Sequence, residues 1–319
     1  MNVLVLGGTR FVGRAFVEAA LSNAHTLTMF NRGLSDPAAF PETRRVAGDR
    51  SSREDVAPLE GAWDCVVDVS GYRPDQLRPF LDLAGASVVH YLYVSTVSVY
   101  AEPMPPGAAE DAPMLSVGED IAAGDPRAYG GLKALCELLL RDRLGERLTV
   151  VRPTFVIGPH DYTDRFTWWV RRIAHGGRMA VPPNLGQHLQ LIDVRDLAAF
   201  MVRIVEGRVP GTFNAVGPER PISMAAMIEA VAEAVGTVVV PVPVDARSAR
   251  ALAFPLYIGD EDDGGLQVSG AAARVHGLTL RPLAASVHDI LDWDRERGLP
   301  PLRSGPSLEA ELGSLAALT

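Results

Sequence analysis

The feature that most constrains the fold is a short apolar strand followed at once by a glycine-rich turn. Val3 to Leu6 are apolar, and residues 7–13 read Gly-Gly-Thr-Arg-Phe-Val-Gly. Apolar residues then recur at helical spacing over 14–21. Further apolar strands, separated by helical segments, are predicted at 26–30, 45–47, 65–69, 90–94 and 149–152. Because parallel strands need crossover connections, this alternation predicts an α/β fold with a doubly wound parallel sheet.

The composition is that of an ordinary globular chain with a full apolar core. Of 319 residues, 47% are hydrophobic and 22% are charged, which excludes disordered and fibrous classes. The net charge of −9 argues against binding nucleic acid through a broad basic face. Cys65 and Cys136 cannot form a disulfide framework, and no apolar run approaches the roughly 18 residues that span a bilayer. We therefore expect a cytoplasmic protein with no membrane partner.

The glycine-rich turn is suited to binding phosphate. Glycines let a pyrophosphate approach the backbone, and the N-terminus of the next helix offers unpaired N–H groups and the positive end of its dipole. A strand before the turn and a helix after it form the context of a dinucleotide-binding domain. We expect contacts to the dinucleotide from Gly7, Thr9, Arg10, Phe11, Val12 and Gly13.

The residues after the second strand favour NADP over NAD. An acidic residue usually stands there to bind the 2′-hydroxyl of NAD, whereas this chain has Asn31 and Arg32. Arg10 and Arg32 can pair with a 2′-phosphate through charge-assisted hydrogen bonds, unless both simply lie on the surface. Asp49, after the third strand, can accept from an adenine amino group. The expected contacts beyond the turn are Asn31, Arg32, Asp49, Arg50, Val69, Ser70 and Gly71.

Tyr129 and Lys133 stand four residues apart, on one face of a helix predicted over 127–144. A phenol with a pKa of about 10 is a poor acid–base group at neutral pH, and a neighbouring cation favours its phenolate. Lys133 is the single lysine among 30 lysines and arginines. A Tyr-x-x-x-Lys spacing often arises by chance, but in a chain with one lysine it is a more specific signal. A compact ammonium can also hold a cofactor ribose in a geometry that a planar guanidinium cannot reproduce.

A hydroxyl at the end of the fifth strand completes this set. Residues 95–100 read Ser-Thr-Val-Ser-Val-Tyr. Together with the glycine turn and the Tyr-x-x-x-Lys spacing, they resemble the extended, epimerase/dehydratase branch of the short-chain dehydrogenase/reductase superfamily. The resemblance implies a catalytic triad of Thr96, Tyr129 and Lys133, of which Tyr129 and Lys133 also contact the cofactor.

The resemblance covers roughly residues 1–300. The Arg-Pro and Gly-Pro pairs at 152–153 and 158–159 resemble the family's loop after the sixth strand, which implies that Pro153 and Val156 contact the cofactor. It also implies a homodimer formed through the helix that bears Tyr129.

Regular alternation of strand and helix weakens beyond Pro153. Strands are still predicted at 189–193 and 212–216, a turn at 279–283, and helices at 223–235 and 285–297. The resemblance implies a Rossmann domain over 1–153, to which parts of 188–222 return. The remaining chain, 154–319, is then mainly a substrate-binding lobe.

Departures from the family pattern bear on the substrate. Members that act on nucleotide sugars carry an asparagine before the Gly-Pro pair and an arginine before an Ile-x-Val element, and both contact the diphosphate. Here residues 155–157 and 189–191 read Phe-Val-Ile and Leu-Gln-Leu, and apolar side chains cannot replace charged donors. The Asp-Glu of sugar dehydratases is replaced by Val97-Ser98. We therefore expect a small carbonyl compound without a nucleotide diphosphate, bound by Tyr72, Val97, Ser98, Phe155, Phe166 and Trp169.

These residues together predict an NADP-dependent oxidoreductase of a small carbonyl or alcohol compound, with Tyr129 as proton donor in reduction and Thr96 orienting the oxygen. An epimerase that keeps its cofactor bound and passes through a transient ketone uses the same triad and stays an alternative. The glycine turn also resembles that of the chloroplast stem-loop RNA-binding proteins, so RNA binding is an alternative of another class. His160, Asp161, His175 and His188 match no standard metal spacing, and no metal is expected.

Overall fold

The central feature is a sheet of seven parallel strands. A computed structural model describes residues 1–259 and 267–316. Numbered along the chain, the strands of this sheet are β1 (Asn2–Leu6), β2 (Thr26–Asn31), β3 (Arg44–Ala47), β4 (Cys65–Asp68), β5 (Tyr91–Val94), β6 (Leu148–Pro153) and β11 (Gly211–Ala215). Their order is β11-β6-β5-β4-β1-β2-β3, and every neighbouring pair is parallel. The strand order reverses between β1 and β4, which confirms the predicted doubly wound sheet.

Helices cover both faces of the sheet. They are α1 (Phe11–Ser22), α2 (Arg53–Val56), α3 (Pro74–Ala84), α4 (Ala128–Leu144) and α6 (Val194–Gly207). On one face α1 and α6 share a core that includes Phe16, Phe200 and Phe213. On the other face Phe80 of α3 and Leu140 of α4 belong to a second core. Residues 194–215 therefore supply one helix and one strand to the sheet layer.

The remaining elements form a smaller lobe. Its strands are β7 (Phe155–Ile157), β8 (Gly177–Val181), β9 (His188–Leu189), β10 (Leu191–Asp193), β12 (Ile222–Ser223) and β13 (Val239–Pro243). They pair as β7 with β10 and β8 with β13, both parallel, and as β9 with β12, antiparallel. The other helices of the lobe are α5 (Arg165–His175), α7 (Met224–Val235), α8 (Ala246–Leu252), α10 (Leu283–Glu296) and α11 (Leu308–Ala316). The short helix α9 (Ala271–Val275) instead packs against β11, and its Ala273 belongs to the core of the sheet layer. The lobe has its own apolar core, formed largely by α5, α7 and α10.

The strand predicted at 189–193 is interrupted at Gln190. The side chain of Gln190 accepts from the N–H of Val268 at 3.0 Å and donates to the carbonyl of the same residue at 2.9 Å. This clamp holds the chain between β9 and β10, and so one apolar run becomes two short strands in different sheets. The last predicted helix begins at Leu283, two residues before the predicted start. No helix within the described ranges is long and apolar enough to cross a membrane.

Candidate active site

The glycine-rich turn lies at the carboxyl edge of the sheet, between β1 and α1. Gly7 has a φ of +117°, and a Cβ there would lie 2.7 Å from Cγ2 of Val69. A Cβ at Gly13 would lie 2.8 Å from the same atom. The missing side chains therefore let the turn pack against the end of β4. Among the described residues, no side chain caps the start of α1, so its first N–H groups fit the pyrophosphate of a dinucleotide.

Asn31 and Arg32 stand at the end of β2, where an NAD-binding domain usually has an acidic residue. The amide of Asn31 donates to the carbonyl of Gly7 at 3.0 Å and accepts from the backbone two residues on, so this side chain braces the turn. Arg32 is exposed and makes no hydrogen bond or ion pair with any described residue. The carboxylate of Asp49 is exposed and accepts from the N–H of Ser51. That hydrogen bond, with a contribution from Arg32, lowers the pKa of Asp49.

Arg10 reaches from the glycine turn toward the smaller lobe. Its Cζ lies 5.0 Å from the ring centroid of Tyr162, in a cation–π contact. Tyr162 was not among the predicted contacts, because nothing near it in the sequence connects it with the turn. Arg10 therefore bridges the two sides of the cleft. Of the two arginines predicted to bind a 2′-phosphate, Arg32 is the one that stands at the end of β2.

The guanidinium of Arg50 is engaged by a buried carboxylate, which corrects its prediction as a cofactor contact. Its two terminal nitrogens donate to Asp68 at 2.7 and 2.6 Å. Asp68 also accepts from the hydroxyl of Tyr91 and from the N–H groups of Ser70 and Gly71. Burial by itself would raise the pKa of Asp68, but Arg50 and these hydrogen bonds hold it below its usual value. The pair fixes the turn after β4.

Lys133 is buried and anchored to the backbone at two points. Its Nζ donates to the carbonyl of Gly71 at 2.9 Å and to that of Val94 at 2.6 Å. It also lies 4.2 Å from the ring centroid of Tyr93. Burial lowers the pKa of Lys133 to about 8. The ammonium is therefore held between the ends of β4 and β5, with one of its three N–H bonds engaged by neither carbonyl.

Two glycines in α4 let this helix approach the segment that follows β5. A Cβ at Gly130 would lie 1.8 Å from the carbonyl oxygen of Ser98, and one at Gly131 would lie 2.5 Å from Cγ2 of Val117. Consecutive glycines destabilise a helix interior, so their presence inside the Tyr-x-x-x-Lys spacing signals a close contact. Tyr129, the residue before this pair, is thereby brought beside the end of β5.

Thr96 and Tyr129 meet at this junction. The hydroxyl of Thr96 accepts from the N–H of Ser98 and caps a short 3-10 turn over Val97–Val99. Desolvation raises the pKa of Tyr129, while a hydrogen bond with Thr96 and the charge of Arg165 partly offset the rise. The pKa of Tyr129 is therefore raised overall, whereas the sequence predicted that Lys133 would lower it. The phenol is a protonated donor at neutral pH.

The cleft beside Tyr129 has aromatic walls. The exposed fractions of Tyr72, Tyr129 and Tyr162 are 46%, 51% and 41%. The ring centroids of Tyr72 and Tyr129 are 6.4 Å apart. Of the other predicted substrate contacts, Ser98 is exposed, Val97 is nearly buried, and Phe155 is partly exposed.

Phe166 and Trp169 do not line the cleft, which corrects their prediction as substrate contacts. Their exposed fractions are 1% and 0%. Both lie in the core of the smaller lobe, where Nε1 of Trp169 donates to the carbonyl of Pro255 at 2.8 Å. They belong to the apolar face of α5, which packs against α7 and α10. Both are therefore core residues of the smaller lobe.

The arginines of α5 differ in how they are used. Arg171 donates to both oxygens of Asp294 at 2.7 and 2.6 Å. Arg172 donates to both oxygens of Glu311 at 2.6 and 2.8 Å. Arg165, at the start of the helix, has no carboxylate partner among the described residues; its Cζ lies 5.7 Å from the ring centroid of Phe155. Only one of the three is thus open to the cleft, and the sequence alone did not single it out.

The predicted cofactor contacts after β6 lie at the junction of the two lobes. Pro153 ends β6 and is buried, and Val156 lies on β7 with 9% of its side chain exposed. Just before them, Arg152 is fully buried and donates to Glu137 and to the hydroxyl of Tyr100. This buried pair ties α4 to β6. No described residues form a cluster of metal-ligating side chains.

Comparison with known families finds a match. Residues 76–216, which include the end of β5, α4 and β6, match the family described as NAD dependent epimerase/dehydratase. This segment of the chain is similar to that family. Thr96, Tyr129 and Lys133, the triad that the resemblance implies, all lie within the matched segment.

Three relatives illustrate the range of the family. The chain is 28% identical over 253 residues to the chloroplast stem-loop binding protein of 41 kDa b of Arabidopsis thaliana, which covers 74% of this chain and 63% of that protein's length. WbmH of Bordetella bronchiseptica, in complex with NAD+, has a TM-score of 0.71 at 17% identity and covers 93% and 99% of the two chains. UDP-glucose 4-epimerase of Thermus thermophilus, in complex with NAD, has a TM-score of 0.68 at 18% identity, with 92% and 99% covered. The two solved structures share the fold.

Proposed function

We propose that this chain is a member of that family and an NADP-dependent oxidoreductase of a small carbonyl or alcohol compound. The observation that carries the proposal is the meeting of Thr96 and Tyr129 at the carboxyl edge of the sheet, where Lys133 is anchored to the carbonyls of Gly71 and Val94. Bound NADP would supply or accept the hydride. The uncapped start of α1 and the close-packed glycine turn support a pyrophosphate at that edge.

Each of the three side chains has a distinct task in reduction. The hydroxyl of Thr96 orients the substrate oxygen, and the protonated phenol of Tyr129 donates to it as negative charge develops. Lys133 supplies positive charge beneath the site, and its remaining N–H bond is available to a cofactor hydroxyl. In oxidation, Tyr129 must first lose its proton, so the raised pKa of Tyr129 favours reduction at neutral pH.

NADP is preferred over NAD in this proposal because of Arg32. The exposed guanidinium of Arg32, which makes no ion pair with any described residue, stands at the end of β2, where a carboxylate would repel a 2′-phosphate. Two of the solved structures that share the fold are in complex with NAD, so the proposed preference for NADP rests on Arg32. Equilibrium binding of both reduced cofactors tests the preference.

The experiment that tests the activity is a screen of small aldehydes and ketones for NADPH oxidation, with Tyr129→Phe run beside the unaltered protein. Net oxidation that depends on Tyr129 supports the proposal. An epimerase would instead turn over its substrate with no net change in cofactor. Its best candidates are nucleotide sugars, and we expect UDP-, GDP- and dTDP-sugars not to bind the cofactor-loaded protein, because Arg171 and Arg172 are engaged elsewhere.

RNA binding is the second candidate, favoured by the similarity to the Arabidopsis stem-loop binding protein. The net charge of −9 opposes it, since neutralising phosphates requires lysine and arginine on the surface. Gel shifts with a structured RNA at two salt concentrations discriminate the two functions. Salt-dependent binding without cofactor turnover would favour the RNA function.

A further inference from the structure

Arg165 carries a positive charge at the cleft, and the acid whose pKa it lowers, Asp161, is buried. Arg165 begins α5, and its guanidinium lies over the ring of Phe155. Its charge offsets part of the rise in the pKa of Tyr129, so Arg165 influences the proposed proton donor. Among the described residues it makes no ion pair. An unpaired cation next to the reacting group points to an anion on the ligand.

The orientation of this guanidinium is fixed by a buried relay. Nε of Arg165 donates to the hydroxyl of Thr163 at 3.2 Å. The same hydroxyl donates to Oδ1 of Asp161 at 2.6 Å, and the N–H of Thr163 reaches that oxygen at 2.9 Å. Asp161 is 1% exposed. Because the relay uses only Nε, the two terminal nitrogens of Arg165 remain, and their spacing matches the two oxygens of a carboxylate.

The surrounding charges favour a single negative charge on the ligand. Asp161 lies close enough for Arg165 to lower its pKa, although burial raises that pKa overall. Asp164, the next acid, is paired with Arg297 at 2.7 Å. A phosphate dianion would therefore add a second negative charge near Asp161 with no further cation from α5 to balance it. Arg10 lies on the glycine turn, where the cofactor phosphates are proposed.

The walls around this cation favour a flat apolar body. Tyr72, Tyr129 and Tyr162 are each about half exposed, and the ring centroids of Tyr72 and Tyr129 are 6.4 Å apart. Aromatic faces bind planar carbon skeletons through offset or edge contacts. A ligand that fits all of these groups has a planar apolar part, a carbonyl at Tyr129 and a carboxylate at Arg165.

We propose that Arg165 binds a carboxylate of the substrate, so that the substrate class is carbonyl acids, or hydroxy acids in the reverse direction, with a planar apolar body. This inference rests on the proposed oxidoreductase function. It specifies which carbonyl compounds the enzyme selects.

The test compares benzoylformate with its ethyl ester, which has the same ring and carbonyl but no charge. NADPH oxidation is measured for the unaltered protein, for Arg165→Gln and Arg165→Lys, and for the control Arg178→Gln, whose side chain is exposed on β8. Thermal unfolding of each variant shows that it is folded. Binding of benzoate and benzamide to the NADPH-loaded protein, measured by calorimetry, gives a readout that does not depend on turnover.

We expect the acid to be preferred over the ester by about 10- to 100-fold in kcat/KM, the range of one charge-assisted pair. Arg165→Gln should remove the preference, Arg165→Lys should keep part of it, and Arg178→Gln should leave it unchanged. Equal use of acid and ester by the unaltered protein, a preference that survives Arg165→Gln, or a preference for a phosphorylated aldehyde would each overturn the inference. If benzoate binds in an Arg165-dependent way but neither probe is reduced, the carboxylate site stands and the proposed reduction of these compounds fails.

Discussion

The Nζ atom of Lys133 donates to the carbonyl oxygen of Gly71 at 2.9 Å. The N–H of the same glycine donates to Asp68 at 2.9 Å, and Asp68 is paired with Arg50. The lysine is therefore positioned through one peptide group by a buried ion pair that it does not touch. Asp68 and Arg50 are positioning residues for the ammonium.

Asp68→Asn should lower the pKa of Lys133 below its value of about 8. Asp68 raises that pKa and Arg50 lowers it. Without the carboxylate, only the charge of Arg50 remains, and it destabilises the ammonium form of Lys133. Because the chain has a single lysine, nitrogen-15 lysine labelling gives one side-chain NMR signal to titrate. Activity should then be lost at a lower pH than in the unaltered protein.

The control for this titration is Asp75→Asn, which changes an exposed acid at the start of α3. Breaking a buried ion pair costs about 3–5 kcal/mol. The titration is therefore done under conditions in which unfolding curves show that Asp68→Asn is folded. An unchanged pKa of Lys133 in the folded variant would contradict the positioning role.

Tyr129→Phe should reduce turnover by at least roughly a hundred-fold, the usual contribution of general acid catalysis. The side chain is half exposed, so the unfolding temperature should hardly move. In the unaltered protein, the raised pKa of Tyr129 keeps the proton donor present through neutral pH. Reduction should therefore fall only at alkaline pH, whereas oxidation should rise with pH. Steady-state rates in both directions across pH check this, and near-normal turnover of the variant would remove Tyr129 from the mechanism.

Lys133→Arg should lose most activity although the charge is kept. The ammonium donates to two carbonyls within a fully buried site, and a planar guanidinium is larger and directs its donors differently. Rates and cofactor affinity are measured together, because the same group is proposed to bind the cofactor. Arg127→Lys, at the exposed start of α4, is the matched control for an exchange of cations. Full activity in Lys133→Arg would show that charge alone is sufficient.

Arg32→Ala should weaken NADPH binding by about 1.5–3 kcal/mol and leave NADH binding unchanged, because only NADP carries the 2′-phosphate. Calorimetry with both cofactors measures the two effects. Arg44→Ala, an exposed arginine on the neighbouring β3, should change neither. Equal affinities for the two cofactors in the unaltered protein would refute the preference for NADP.

Gly130→Ala should displace α4 from the segment after β5. The added Cβ would approach the carbonyl oxygen of Ser98 to 1.8 Å, and overpacking of this kind typically costs about 1–3 kcal/mol. Both the free energy of unfolding and turnover should fall, since the shift separates Tyr129 from Thr96. The control is Gly124→Ala, whose added Cβ has open space around it. It should change neither the free energy of unfolding nor turnover. The two variants are compared by denaturant unfolding and by rate.

The sheet and the glycine turn were predictable because their signals are local. Most strands of the sheet contain a short apolar run, and the turn's glycines follow one of them directly. The partner of Arg50 was not predictable, because Arg50 follows β3 at one edge of the sheet, whereas Asp68 ends β4, which β1 and β2 separate from β3. The consecutive glycines at 130–131 are a sequence signal of the close contact between α4 and the segment after β5.

The smaller lobe was predicted less well, for a related reason. The apolar face of α5 is set by α7 and α10, which lie far along the chain, and so Phe166 and Trp169 were wrongly placed in the cleft. The same helix begins with Arg165, which has no carboxylate partner among the described residues. The division of 189–193 into two strands depends on Gln190 and Val268, which are 78 residues apart.

The position of β11 at the edge of the sheet has a consequence for exchanging parts between relatives. The sheet layer is made of residues 2–153 and 194–215 together with α9, whose Ala273 lies in the same core, so the smaller lobe consists of separate stretches of chain. A graft of substrate specificity must therefore replace those stretches at once, at several splice points. A single crossover after Pro153 would pair β6 and α1 of one parent with β11 and α6 of the other, and the chimera would inherit a mismatched core instead of a new cleft.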